Sequence, residues 1–234
     1  MELHQDGRKT DNLTLEQQYL LKWHIRIYYM NFWSIIRFVR LGLIPSILTA
    51  IRYEEIPICS ACCFGKKGFT YPEIDGSGAG IADEHDQPGM CISTNKIKSP
   101  QSGLIPVLKG KQTSRNYHVG SIFVDNFSKV TYVHCSESST VNKFAKAKHT
   151  FEEYAAKFGV KIQKYHAEHG AFNTQVFKES IITVNQTIFF SGVDAQHQNK
   201  IADRTTKTVT YREHCMIINE MICWTDVITL KLWP

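Results

Sequence analysis

The order in which strand-like and helix-like segments follow one another after Gly89 constrains this chain more than any other feature. Met90–Thr94, His118–Asp125 and Val130–Cys135 are short runs rich in β-branched and aromatic residues, the last two joined by a turn at Asn126–Lys129. Val141–Phe158 then repeats apolar residues at helical spacing. Phe144, Ala145, Phe151, Tyr154 and Ala155 share one face, Lys143, Lys146, Lys148, Glu152 and Glu153 lie elsewhere, and Gly159 stops the helix. Val160–His166 predicts a fourth strand, Thr174–Ser180 a short helix, Thr187–Gly192 a fifth strand and Lys200–Ile222 a last helix. Such an order describes an α/β fold, a mixed five-stranded sheet with flanking helices.

A smaller unit precedes it. Residues 14–40 have helical character, with Leu20, Leu21, Trp23, Ile27, Phe32, Ile35, Ile36 and Val39 recurring at steps of three and four until Pro45 breaks the pattern. The unit ends near the cysteine cluster Cys59, Cys62 and Cys63, and glycine and acidic residues then mark a linker. Within that linker Asp75–Gly80 lacks the preceding strand and the glycine spacing of a phosphate-cradling loop, and Asp83–Asp86 reads as solvated charge. The boundaries are a polar tail at 1–13, a helical unit at 14–66, a linker at 67–88 and the α/β domain at 89–234.

Charge placement says more than the net charge of +5. No carboxylate lies between Asp86 and Asp125, yet Lys96, Lys98, Lys109, Lys111 and Arg115 all fall in that gap. A one-signed stretch suits a phosphate-facing surface, and its alternative is a solvated basic loop. Seven cysteines, an odd number, do not form a secreted disulfide framework and predict an intracellular, reducing location. The N-terminus is too polar for a signal peptide, and the longest apolar runs fall far short of the ~20 residues that span a bilayer. No nucleophile motif is present, and His134, Cys135, His214, Cys215 and Cys223 show no ligand spacing.

Eight short motifs sit on this frame: WHIRIYYMNF (Trp23–Phe32), CSACCFGK (Cys59–Lys66), GMCISTNKIKSP (Gly89–Pro100), GLIPVLKG (Gly103–Gly110), FVDNFS (Phe123–Ser128), YHAEHG (Tyr165–Gly170), QNKIAD (Gln198–Asp203) and LWP (Leu232–Pro234). In this order they resemble the polyprotein of copia-type LTR retrotransposons, from the GAG-pre-integrase zinc region through most of the integrase catalytic core. The resemblance implies a ribonuclease H-like core. It also implies a tetrahedral zinc unit in which His24, Cys59 and Cys62 match three ligands while Tyr29 stands where the second histidine is expected. A water or Cys63 would complete the set, and the alternative is a group of reduced core cysteines.

The same resemblance implies a two-metal phosphotransfer site whose carboxylates hold Mg²⁺ or Mn²⁺. The family's first aspartate falls on Asn95, its second on Glu168 and its glutamate on Asp203, so all three positions are substituted. Glu168 and Asp203 keep their charge with a side chain one methylene longer or shorter; Asn95 loses it. Lys200 replaces a glycine and is placed to contact phosphate, while Asp125 is expected to cap the turn before Ser128, and His166 and His169 to be loop histidines. DNA ends and target DNA are the implied partners, processing of 3′ ends and strand transfer the implied reactions, and a homo-oligomer the implied assembly. Three substituted ligands predict that this activity is impaired or absent. The alternatives are a non-catalytic nucleic-acid-binding module and a decaying reading frame, with the core C-terminally truncated at Pro234.

Overall fold

Thr14 starts the first helix, α1 (Leu15–Arg26), through a reciprocal capping box: its hydroxyl accepts from the Gln17 backbone N–H at 3.3 Å, and the Gln17 side-chain oxygen accepts from the Thr14 N–H at 2.9 Å. The computed structural model describes residues 13–44, 56–66, 86–104, 115–170, 172–192 and 199–224. The helical stretch expected over 14–40 is in fact two helices. Tyr28 and Tyr29 both take φ of 54°, and α2 (Phe32–Arg40) begins afresh behind Asn31, whose side chain accepts from Ser34 N–H at 2.8 Å. A left-handed non-glycine residue costs about 1–2 kcal/mol. Here the bend lets Tyr29 N–H reach the His24 carbonyl at 2.8 Å and buries the Tyr29 ring. Leu20, Ile35, Ile36, Val39 and Ile44 form one small core of this unit. A third helix, α3 (Ser60–Lys66), follows Cys59.

The sheet unit contains β1 (Ile92–Leu104), β2 (Asn116–Asp125), β3 (Thr131–Ser136), β4 (Lys164–Ala167) and β5 (Thr187–Phe190), in the order β3-β2-β1-β4-β5. β2 runs antiparallel to both β1 and β3, whereas β1 with β4 and β4 with β5 are parallel. This mixed sheet with flanking helices is the ribonuclease H-like architecture. β1 extends well beyond the expected Met90–Thr94, because its pairing with β2 shifts register between Lys98 and Gly103 and resumes. Pro100 lies in that interval, where no ladder N–H is required. β4 is shorter than the expected Val160–His166. Its forerunners instead pass close to Gly89, whose carbonyl accepts from Gln163 N–H at 2.9 Å; a Cβ at Gly89, at φ +86°, would meet the Lys161 carbonyl oxygen at 2.5 Å.

Two helices make the parallel crossovers, α4 (Val141–Ala156) and α5 (Gln175–Ile182). They bury Phe144, Phe151, Phe177 and Ile181 against Phe123 and Tyr165 on one face of the sheet. Lys148, expected off the apolar face of α4, is buried instead. Its Nζ donates to Glu152 Oε2 and to the Ser180 carbonyl, each at 3.0 Å, and Tyr165 Oη donates to Glu152 Oε1 at 2.8 Å. A buried ammonium persists only with such partners. The opposite face carries Ile97, Ile122 and Val124, packed with Ile201 and Val209 of the last helix, α6 (Lys200–Cys223). The compact units are Met1–Pro72 with Thr210–Thr229, and Glu73–Val209 with Leu230–Pro234, so residues of α6 belong to both. Among the described residues no helix is long and apolar enough to cross a membrane.

Candidate functional site

The parallel register of β1 with β4 ends at Thr94 opposite Ala167, so the next residues along the two neighbouring strands are Asn95, still within β1, and Glu168, just past the end of β4. Asn199 brings the third position to them. Its side-chain amide, fully buried, donates to the Thr94 carbonyl at 2.9 Å and pins the start of α6 to β1. Asp203 then lies one helical turn farther along, where its Oδ1 accepts from Asn95 Nδ2 at 2.8 Å. The three positions that the sequence singled out are therefore neighbours in the fold. Asn199 and Lys207 are functional candidates that sequence reasoning passed over; the first was inside the QNKIAD motif, and the second gave no signal beyond its place one turn after Asp203.

Hydrogen bonding fixes how Asn95 sits. Its Oδ1 accepts from the Lys96 backbone N–H at 2.7 Å, and its Nδ2 also reaches Thr206 Oγ1 at 3.4 Å. Flipping the amide would set oxygen against carboxylate and NH₂ against N–H, so the network selects this orientation. Burial pushes the Asp203 carboxyl up to about 6, with the Glu168 charge adding to the rise and Lys207 opposing it. Mg²⁺ needs oxygen ligands in near-octahedral array. What faces Asp203 from the first-strand position is an N–H donor, and the one amide oxygen there is already engaged. The residues present do not fit a two-metal centre.

The basic residues are divided. Side chains alternate across a strand, so Lys96 and Lys98 lie on the sheet face opposite Asn95. Lys96 Nζ stands 5.4 Å from the centre of the Phe144 ring, on the α4 side. Arg115 is exposed and ion-paired with Glu137, and Lys200 is exposed at the first residue of α6. Lys109 and Lys111 lie outside the described residues. Asp125 is the expected turn cap: its Oδ2 accepts from Ser128 N–H at 2.7 Å and from Ser128 Oγ–H at 2.6 Å. His169 is in a turn, but His166 belongs to β4, where its ring stacks on Phe189 and Nε2 meets Ser191 Oγ at 3.1 Å.

A second cluster forms in the helical unit. His24 of α1, Cys59 before α3 and Cys62 within it bring one ligand atom each to within 4.8 Å of one another, and these three could hold a metal ion. His24 Nε2 is 3.2 Å from Cys62 Sγ. Its Nδ1 is 2.6 Å from the Met30 carbonyl oxygen, which can only accept, so Nδ1 carries the proton and Nε2 presents a lone pair to the thiols. A tetrahedral zinc ion with Zn–S of about 2.3 Å sets its ligand atoms about 3.5–3.8 Å apart, so the group fits. Hydrogen bonding to Cys62, followed by burial, pushes the Cys59 thiol up to about 12. Tyr29 packs its ring edge-on to His24, with centroids 5.2 Å apart, and Cys63 is exposed and stands outside the group. Cys215, without ligand spacing in the sequence, is buried in the same small core and hydrogen-bonded to Cys62.

No protein-family model matches the chain, and no curated protein matches it. Among solved structures, the HTLV-2 integrase catalytic core domain in complex with magnesium is similar at 16% identity over 60% of this chain and 76% of that one, with a TM-score of 0.40. A chain of the simian T-cell lymphotropic virus intasome is 15% identical over 61% of this chain and 51% of its own, with a TM-score of 0.41. The catalytic core domain of BIV integrase is 7% identical over 55% of this chain and 82% of its own, with a TM-score of 0.37.

Proposed function

We propose that this chain is a retrotransposon-derived, copia-type integrase fragment that keeps an integrase-like core and a capacity to bind DNA phosphates, but has lost metal-dependent strand transfer. The ordered motifs support the family reading. One observation carries the loss of chemistry: Asn95 donates to Asp203 at 2.8 Å, where the resemblance implies a carboxylate shared between two ions. Lys200 and Lys207, one at the start of α6 and one a turn past Asp203, supply positive charge beside the former site. Lys96, Lys98 and Arg115, with Lys109 and Lys111, are the further candidates for sequence-independent phosphate contacts. His24, Cys59 and Cys62 support a structural zinc ion, separate in role from the DNA-binding surface.

Duplex binding measured across a salt series tests this reading. The logarithm of the binding constant should fall linearly with the logarithm of salt concentration, and added Mg²⁺ should only weaken binding, as a competing counterion, and never strengthen it. Strand transfer that requires Mg²⁺ or Mn²⁺ and disappears in Asp203→Ala would contradict it.

A further inference from the structure

We propose that Cys215 is the fourth ligand of a structural zinc site formed with His24, Cys59 and Cys62, taking the place left by Tyr29. The proposal rests on the zinc reading of those three residues and adds a ligand from α6, far from them in sequence. Cys62 interacts with the thiols of both Cys59 and Cys215, His24 Nε2 stands 3.2 Å from its Sγ, and Cys59, Cys62 and Cys215 belong to one small core. Cys215 is fully buried in the core that also holds Cys59, Ala61, Tyr29 and Leu21. Its place is kept open by Gly65 of α3, where a Cβ would come within 2.9 Å of Cys215 Sγ.

Cys215 meets the group through Cys62, outside the triad whose ligand atoms converge within 4.8 Å. A cysteine has a single side-chain torsion with three staggered wells, so rotation about Cα–Cβ is the movement that brings its sulfur to the ion. Tyr211, one helical turn before Cys215, packs against the same core: its hydroxyl donates to the Cys62 carbonyl at 3.4 Å and interacts with the Cys62 and Cys215 thiols. On loading, the three thiols release their protons to solvent as thiolates, His24 binds through Nε2, and its Nδ1–H stays on the Met30 carbonyl. Cys63, adjacent to Cys62 and exposed, takes no part.

X-ray absorption at the zinc edge of the purified, zinc-loaded full chain tests the assignment. The expected shell is three sulfurs at about 2.3 Å and one nitrogen at about 2.0–2.1 Å. Two sulfurs with lighter atoms completing the shell would remove Cys215 and leave the triad intact; a chain that takes up no zinc would overturn the triad as well. Cobalt substitution gives the second reading. In Cys215→Ser the thiolate-to-cobalt charge-transfer intensity should fall by about a third, as one of three thiolates is lost, while Cys63→Ser leaves it unchanged. Identical spectra for Cys215→Ser and the natural chain would also refute the proposal, and a Cys215→Ser chain that did not fold would leave the absorption result on the natural protein to decide.

Discussion

At Asn95, where the resemblance implies a carboxylate, the substituted side chain donates to Asp203 at 2.8 Å and satisfies it; at Tyr29, where it implies a histidine, the substituted ring packs against His24 and a thiol from α6 stands beside Cys62. On the proposed reading, the two sites absorb the loss of a ligand in different ways. On the sheet, a neutral amide donates to Asp203 where the resemblance implies a third carboxylate, and on the proposed reading this polar contact stands in for metal ligation. In the helical unit the donors His24, Cys59 and Cys62 are soft and convergent, and could hold a zinc ion. The cores differ in the same sense. The sheet unit rests on a broad cluster that includes Phe123, Tyr165, Phe151 and Phe177, whereas the helical unit has two small clusters, one of them built around the cysteines themselves. A small core gains most from a metal staple.

The largest expected effect separates the two units. Stripping zinc with a chelator should melt the helical unit and leave the sheet unit's transition unchanged in a thermal scan, since structural zinc contributes on the order of 10 kcal/mol in small metal-dependent units. A single transition unmoved by chelator would erase the contrast. Next comes Phe123→Ala, which removes a fully buried ring stacked on Phe151 with centroids 4.9 Å apart; it should cost about 3–5 kcal/mol in chemical denaturation, with or without zinc. Asn199→Ala strands the Thr94 carbonyl and should cost about 1–3 kcal/mol, with faster amide exchange in the first turn of α6 as its local signature. Unchanged exchange there would mean that Asn199 does not anchor the helix.

The smallest effect is a pH dependence. The folded state holds the Asp203 proton up to about pH 6, above the ordinary 3.8, so the folded protein binds more protons between these values. Stability from this group is therefore fully present below about pH 4 and is lost as pH rises through about 6. Asp203 is only half-buried, which keeps the slope shallow. Asp203→Asn, which can still accept from Asn95, should flatten that part of the curve; an unaltered slope would place its origin elsewhere, for example at Glu213, whose carboxyl burial pushes up to about 7.

Much of the sheet unit was legible in the chain. The runs ending in Asp125 and Phe190 and the amphipathic pattern of α4 reappear close to where hydrophobic periodicity puts them, because each buries a face against its neighbours. The length of β1 was not, since Ser99-Pro100-Gln101 reads as a break and only pairing with β2 on both sides of it continues the strand. Nor was the bend at Tyr28 and Tyr29, two residues whose local preference gives no warning of a left-handed backbone; Asn31, a helix cap inside an apolar stretch, was the one available sign. In the candidate sites, Asn95, Glu168 and Asp203 were found by motif and are neighbours in space. Cys215 could not be found that way, since its partnership with Cys62 comes from the packing of α6 within the helical unit and not from local spacing.

Calorimetric titration of Mg²⁺ into the full chain, alongside Asn95→Asp, tests the central contrast most directly. The account predicts no measurable heat of site binding for the natural chain and a recovered, saturable binding in Asn95→Asp, where a carboxylate again faces Asp203 and Glu168. Saturable Mg²⁺ binding to the natural chain that is lost in Asp203→Ala would contradict it.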